Sequence, residues 1–135
     1  MRTLTEAEIR IGATLPPMSV DLTPTTVIAT ALATMDFTPV HHDVAGARAQ
    51  GSKDIFLNIL TTMGLVERYV TDWSGPQTLI RGINVRLGVP AYAGDVLNFT
   101  GTVVSREDGD FTVEVRGTVS LGDHATGTVR FRLPH

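Results

Sequence analysis

The chain has 135 residues, of which 42% are hydrophobic and 19% charged, the size and makeup of one globular domain spanning residues 1–135 with a core of its own. It contains no cysteine, which excludes disulfide staples, thiolate zinc sites and a cysteine nucleophile, and nothing argues for an oxidising compartment. A formal charge of −3 gives no support to a broad nucleic-acid or anionic-membrane surface.

The N-terminal residues Glu6, Glu8 and Arg10 leave no room for the apolar stretch of a signal peptide. No apolar run approaches the roughly 18 residues of a membrane span either. The expectation is a cytoplasmic protein without membrane or nucleic-acid partners.

In chain order, residues 7–11 read as a short strand before Gly12, and Leu15-Pro16-Pro17 as an extended connector. Thr23-Pro24 has the form of a helix start, with Thr23 as N-cap, Pro24 in the first helical position, and Val27, Ile28, Ala31 and Leu32 at helical spacing. A polar turn, Asp36 to Asp43, follows. The small residues Ala45 to Gly51 suggest a second short helix ended by glycine.

The main helix is predicted from a cap at Ser52 or Asp54 to Val70, because Ile55, Ile59, Met63, Val66 and Val70 recur every three or four residues. Phe56, Leu60 and Leu65 widen that stripe, so the helix should be buried on more than one side. Beyond Thr78 the pattern changes to long runs of Val, Thr, Ile and Phe: Thr78 to Val89, Val96 to Ser105, Phe111 to Leu121 and His124 to Leu133. One buried helix followed by four long antiparallel strands is an α+β order. A curved sheet wrapped around a central helix, the hotdog fold, satisfies it.

The turn Asp36-Phe37-Thr38-Pro39-Val40-His41-His42-Asp43 carries the candidate chemistry. A proline-fixed bend can aim a carboxylate and an imidazole five residues apart at one water, and such a pair supplies general acid–base catalysis worth typically about 10²- to 10⁴-fold. The alternative is a solvated turn, with Asp36 capping it and His41 free in water.

These residues resemble the MaoC-like, or R-specific, enoyl-CoA hydratases, whose hallmark is a G-D-x-N-P-x-H string before the central helix. Asp36, Pro39 and His41 match in register, while Met35 stands where the family has glycine and Thr38 where it has asparagine. Similarity continues through Ala91-Tyr92-Ala93-Gly94-Asp95 to the last strand. Within the family, Thr30 to Thr34, His41-His42-Asp43, Ala49 to Phe56, Arg68 to Trp73, Leu87 to Pro90 and Leu121 to His124 resemble the small subunits of steroid side-chain enoyl-CoA hydratases of bacterial cholesterol degradation.

That resemblance implies an acyl-CoA thioester substrate, no cofactor beyond the coenzyme A of the substrate itself, and a larger MaoC-like partner in a heterodimer or heterotetramer. It also implies that this chain supplies the catalytic pair, Asp36 and His41, with the neighbouring carboxylate fixing the imidazole tautomer. The enolate oxygen would be met at the start of the main helix, where the Asn58 backbone amide aligns with a family glycine. The other reading of Asn58 is a plain polar helix residue.

Further candidates are Trp73, as a flat apolar surface or a packing anchor, and Arg81 and Arg86, as contacts for CoA phosphates or solvated strand arginines. His42 and Asp43 read as supporting or surface residues, and His124, in a turn after Gly122-Asp123, as structural. No metal is expected, since no His-x-x-x-His pair or carboxylate-rich loop is present. Two rivals remain: a hotdog acyl-CoA thioesterase, and a noncatalytic binding or assembly subunit that keeps the motif as a relic.

Overall fold

The computed structural model describes residues 1–135. Five strands form one antiparallel sheet: β1 (Met18–Asp21), β2 (Leu79–Leu87), β3 (Val96–Glu107), β4 (Asp110–Val119) and β5 (Gly122–Arg132), in the order β1-β3-β4-β5-β2. Three helices accompany them: α1 (Pro24–Ala33), α2 (Val44–Ala49) and the long α3 (Ile59–Ser74). The helix lies against the sheet's inner face, the hotdog arrangement anticipated from the element order. No helix is long and apolar enough to cross a membrane.

Alternation builds the core. Val103, Val113 and Val129 form one cross-strand row, and Phe111 and Phe131 a neighbouring pair, all essentially without solvent exposure. They meet Val66, Tyr69 and Val70 of α3 in one apolar cluster. Because side chains alternate between faces, the intervening residues Thr102, Glu114 and Thr128 form a row on the opposite, outer face. Gly101 has a steric reason: a Cβ there would fall 3.0 Å from the Tyr69 ring, so glycine lets the helix approach the sheet.

Three local expectations need correction. Residues 7–11 are not a strand; the chain makes a 3-10 turn at Glu6–Glu8, closed by the Glu8 carboxylate accepting from the Thr5 amide at 2.8 Å. The first strand is instead β1, which pairs Met18 with Phe99 and Asp21 with Val96. The main helix begins at Ile59, several residues after Asp54, because Ile55 to Leu57 are spent on extended pairing: Ala93 donates to the Ile55 carbonyl at 3.0 Å and Leu57 to the Ala91 carbonyl at 3.0 Å. Apolar spacing alone could not separate buried extended residues from helical ones.

Helix α1 starts where the sequence places it. The Thr23 hydroxyl accepts from the Thr26 amide at 3.0 Å, with Pro24 in the first turn. Its far end delivers the candidate site.

Candidate active site

Helix α1 ends at Thr34, and the next residue, Met35, adopts φ 57°, the left-handed region that L residues rarely enter. This is the position at which the sequence motif has methionine in place of glycine, and the backbone explains why glycine suits it. The Asp36 amide then donates to the Ala31 carbonyl at 2.9 Å, so the left-handed step closes the helix and turns Asp36 inward. A 3-10 turn at Pro39–His41 carries the chain on to a buried His41.

The two side chains converge. His41 Nε2 lies 3.4 Å from Asp36 Oδ2, with the imidazole nearly buried and the carboxylate about one quarter exposed. His41 Nδ1 lies 2.7 Å from the Phe56 carbonyl oxygen, and since a carbonyl can only accept, Nδ1 carries the proton. In the neutral ring Nε2 is therefore the bare nitrogen, facing the carboxylate. The tautomer is fixed by a main-chain carbonyl and not by the carboxylate that the sequence suggested. The Phe56 ring stands edge-on to the imidazole, centroids 5.0 Å apart.

Asp36 is held from its other oxygen. Oδ1 accepts from the Thr38 hydroxyl at 2.7 Å and from the Thr38 amide at 3.2 Å. The Thr38 hydroxyl, foremost, draws the Asp36 carboxyl below its ordinary value, opposed by partial burial and assisted by the Thr38 amide, His41 and Asn58. A carboxylate at neutral pH follows. Threonine at 38 thus holds the carboxylate directly, a role invisible in the sequence because it departs from the motif.

Asn58 is the N-cap of α3 and is almost fully buried, yet its side chain does not cap the helix. The carboxamide donates from Nδ2 to the Thr34 hydroxyl at 2.8 Å and accepts at Oδ1 from the Thr61 hydroxyl. The amides of the first turn are left without a side-chain acceptor.

The remaining candidates are not gathered here. Trp73 lies 15 residues along α3 from Asn58, about 22 Å at about 1.5 Å per residue, where it packs edge-on against Phe131 at 6.1 Å. Arg81 is at that same end, 3.8 Å from Asp110, a carboxylate also met by Arg130 at 3.9 Å and Arg132 at 2.7 Å. Arg86 is at the opposite end of β2, paired in register with Thr126 and without an acidic partner. It lines a trough of about 440 Å³ with Asn84, Thr126 and Thr128. His42 donates from Nε2 to the Phe37 carbonyl at 3.0 Å, a bond that braces the turn.

His124 is not in a turn, as the sequence suggested, but in strand β5, and its partners were not foreseeable. It is buried, donates from Nδ1 to the Val89 carbonyl at 2.8 Å, and accepts at Nε2 from the Thr62 hydroxyl at 2.8 Å. Burial pushes its pKa below 6.5, keeping the ring neutral. It thereby ties the start of strand β5 to the first turns of α3.

The MaoC like domain family matches residues 6–124. This chain belongs to the MaoC-like family. It is 55% identical over 123 residues to the 3-oxo-4,17-pregnadiene-20-carboxyl-CoA hydratase beta subunit of Mycobacterium tuberculosis, covering 91% of this chain and 95% of that relative. Among solved structures, the ChsH1-ChsH2 complex from Mycobacterium tuberculosis contains a chain similar at 54% identity and a TM-score of 0.91, covering 93% of this MaoC-like chain and 98% of that one. The (R)-hydratase from A. caviae involved in PHA biosynthesis superposes at a TM-score of 0.85 with 22% identity, over 94% of this chain and 98% of the other, a likeness of fold.

Proposed function

We propose that this MaoC-like chain is the catalytic small subunit of an enoyl-CoA hydratase that adds water across the 2,3 double bond of a steroid side-chain trans-2-enoyl-CoA. The observation that carries the reading is the 3.4 Å approach of His41 Nε2 to Asp36 Oδ2, with the Nδ1 proton committed to Phe56. Such an arrangement can grip one water between an acceptor nitrogen and an acceptor oxygen.

As the water oxygen bonds to the β-carbon, one of its protons passes to His41 Nε2 and the alkene electron pair moves into the thioester as an enolate. The imidazolium then returns a proton to the α-carbon, so H and OH are both added and the pair ends as it began. Asp36 stabilises the transient imidazolium and orients the water. Amides at the start of α3, the Asn58 N–H foremost, would meet the enolate oxygen, aided by the helix dipole. Coenzyme A enters only as part of the substrate, and no other cofactor is invoked.

Of the two strand arginines, Arg86 is the better phosphate contact, since Arg81 is already engaged by Asp110. Trp73, about 22 Å from Asn58, suits a wall for a distal part of a substrate or partner better than for the reacting carbons.

A larger MaoC-like chain is proposed as the partner. Two features support it: the nine-residue strand β2 ends the sheet with one edge unpaired, and Leu32, Met35, Phe37, Ile59 and Leu60 stand about half or more exposed around the catalytic turn. Uncovered strand edges and apolar collars are what a partner buries. The 55% identity to a chain named as a hydratase beta subunit supports both the substrate class and the pairing.

Hydration of a steroid side-chain enoyl-CoA, assayed with and without a co-expressed large subunit, tests the proposal. Loss of enoyl absorbance without thiol release is the expected result. Thiol release would establish the thioesterase instead, and activity indifferent to Asp36 and His41 would mark the motif as a relic.

A further inference from the structure

The end of α1 and the start of α3 meet through one buried side chain. Asn58 is 1% exposed, and both ends of its carboxamide are used: Nδ2 donates to the Thr34 hydroxyl at 2.8 Å, and Oδ1 accepts from the Thr61 hydroxyl. The Thr34 hydroxyl in turn donates to the Thr30 carbonyl at 2.8 Å. The chain of bonds therefore runs from the last turn of α1, through Asn58, to the first turn of α3.

Its position gives it consequence. Thr34 is the C-cap of α1 and lies two residues before Asp36, whose amide is bonded to Ala31 in the same turn. Thr61 is in the first turn of α3. An N-cap asparagine ordinarily spends its oxygen on the amides of that turn. Here it spends it on a hydroxyl, which leaves the amides free and ties their helix to the element that carries Asp36.

We infer that the Asn58 side chain is a positioning residue: with Thr34 and Thr61 it forms a latch that fixes the Asp36 carboxylate relative to the amides at the start of α3. This rests on the hydratase reading, and it assigns to the Asn58 carboxamide a task separate from that of its backbone N–H. A hydration transition state needs the water-activating pair and the enolate donors at a set distance, because water adds at the β-carbon while negative charge gathers on the thioester oxygen, whose carbon is two bonds away. Misplacement of about 1 Å can cost on the order of 10²-fold in rate. A buried carboxamide bonded at both ends fixes that distance more firmly than packing alone, since breaking either bond leaves an unsatisfied polar group.

The test measures steady-state hydration by the chain with its large-subunit partner for the wild type, Thr34→Val, Thr34→Ser, Asn58→Ala and the Thr34→Val/Asn58→Ala double variant. Thr34→Val and Asn58→Ala are each expected to lower kcat about tenfold or more, with KM within about twofold. Thr34→Ser keeps the hydroxyl and is expected to retain wild-type kcat. The double variant should be no worse than the more impaired single, because the Thr34–Asn58 bond is already absent in each single variant.

Thr34→Val is nearly isosteric at a half-buried helix end, so it decides the matter even if Asn58→Ala does not fold. An active wild type with unchanged kcat in Thr34→Val overturns the latch alone, as does a kcat loss shared by Thr34→Ser. An inactive wild-type complex overturns the hydratase reading and the latch together.

Discussion

Asp36 and Thr38 form a closed unit in which one carboxylate oxygen accepts both the hydroxyl, at 2.7 Å, and the amide, at 3.2 Å, of a residue two positions on. The second oxygen is thereby reserved for His41. A carboxylate whose two oxygens have separate assignments does not rotate to exchange them.

Removing the hydroxyl should be felt in the titration of that group. In Thr38→Val the Asp36 carboxyl is expected to titrate at higher pH than in the wild type, read by NMR of the carboxyl carbon. The sign for stability follows from linkage: a carboxyl depressed in the folded state contributes stability that is present above its unfolded value and lost as pH falls through the folded one. Thr38→Val should therefore shrink the loss of stability in acid, a change visible in urea midpoints between neutral pH and pH values below the ordinary carboxylate range.

Under the proposed scheme, Asp36 and His41 are expected to carry the rate. Asp36→Asn and His41→Ala should each lower kcat by about two or more orders of magnitude in the assembled protein, with the fold retained by circular dichroism. Retention of wild-type turnover in either variant would remove the water-activation scheme.

Met35 offers a test of backbone strain. At φ 57° a non-glycine residue is strained, and its side chain, 76% exposed, has little packing to lose. Met35→Gly should be neutral to stabilising by about 0.5 kcal/mol, the left-handed relief exceeding the added freedom of the unfolded chain. Met35→Ile should be destabilising by roughly 1–2 kcal/mol, since a β-branched residue fits that region worst. Chemical denaturation distinguishes the two.

His124 predicts a second pH effect, at milder acidity. Because burial holds its folded pKa below 6.5, the unfolded chain binds the proton more readily, and stability should decline as pH falls below about 6.5 until the folded value is passed. Above that window the term vanishes. His124→Gln should flatten this part of the profile, and a wild-type urea midpoint that does not change between pH 7 and pH 5 would contradict it.

For the strand arginines the expectation is asymmetric. Arg86→Ala should raise KM for the CoA thioester about twofold to fivefold, an effect that weakens with added salt, whereas Arg81→Ala, which removes only one of three arginines at Asp110, should leave KM unchanged. Equal KM values for both variants would remove Arg86 from the binding surface.

Much of this architecture could be read from residue order, and the exceptions have physical causes. Thr23-Pro24 announced α1, Gly51 closed α2 at φ 93°, and the Val, Thr and Phe alternation marked four strands within a few residues of their ends. What failed was the segment 52–58, where Ile55, Phe56 and Leu57 have helical spacing but pair with Ala91 to Ala93 across the fold. No local pattern encodes a partner 35 residues away. Strand β1, four residues long and directly after a double proline, was equally silent, since it exists only by its ladder with β3.

The site divides in the same way. The convergence of Asp36 and His41 was legible because proline fixes the bend between them, whereas the contacts of Thr38, Thr34 and the Phe56 carbonyl were not, because a hydroxyl off the motif and a main-chain oxygen carry no signature. Asn58 was noticed for its backbone, while its carboxamide makes the bonds that the folded chain reveals.

The acceptor that receives the His41 Nδ1 proton belongs to the main chain at Phe56, so no exchange of the side chain at that position can delete it. The ring's protonation pattern is inherited from the course of the polypeptide, which Leu57 and Ile55 secure by bonding to Ala91 and Ala93. A substitution at residue 56 can therefore reshape the surroundings of the imidazole while leaving its tautomer unaltered. Disturbing that state takes a change that slips the 55–57 segment against its neighbour, such as an insertion, a deletion or a proline at 57 that removes the bond to Ala91.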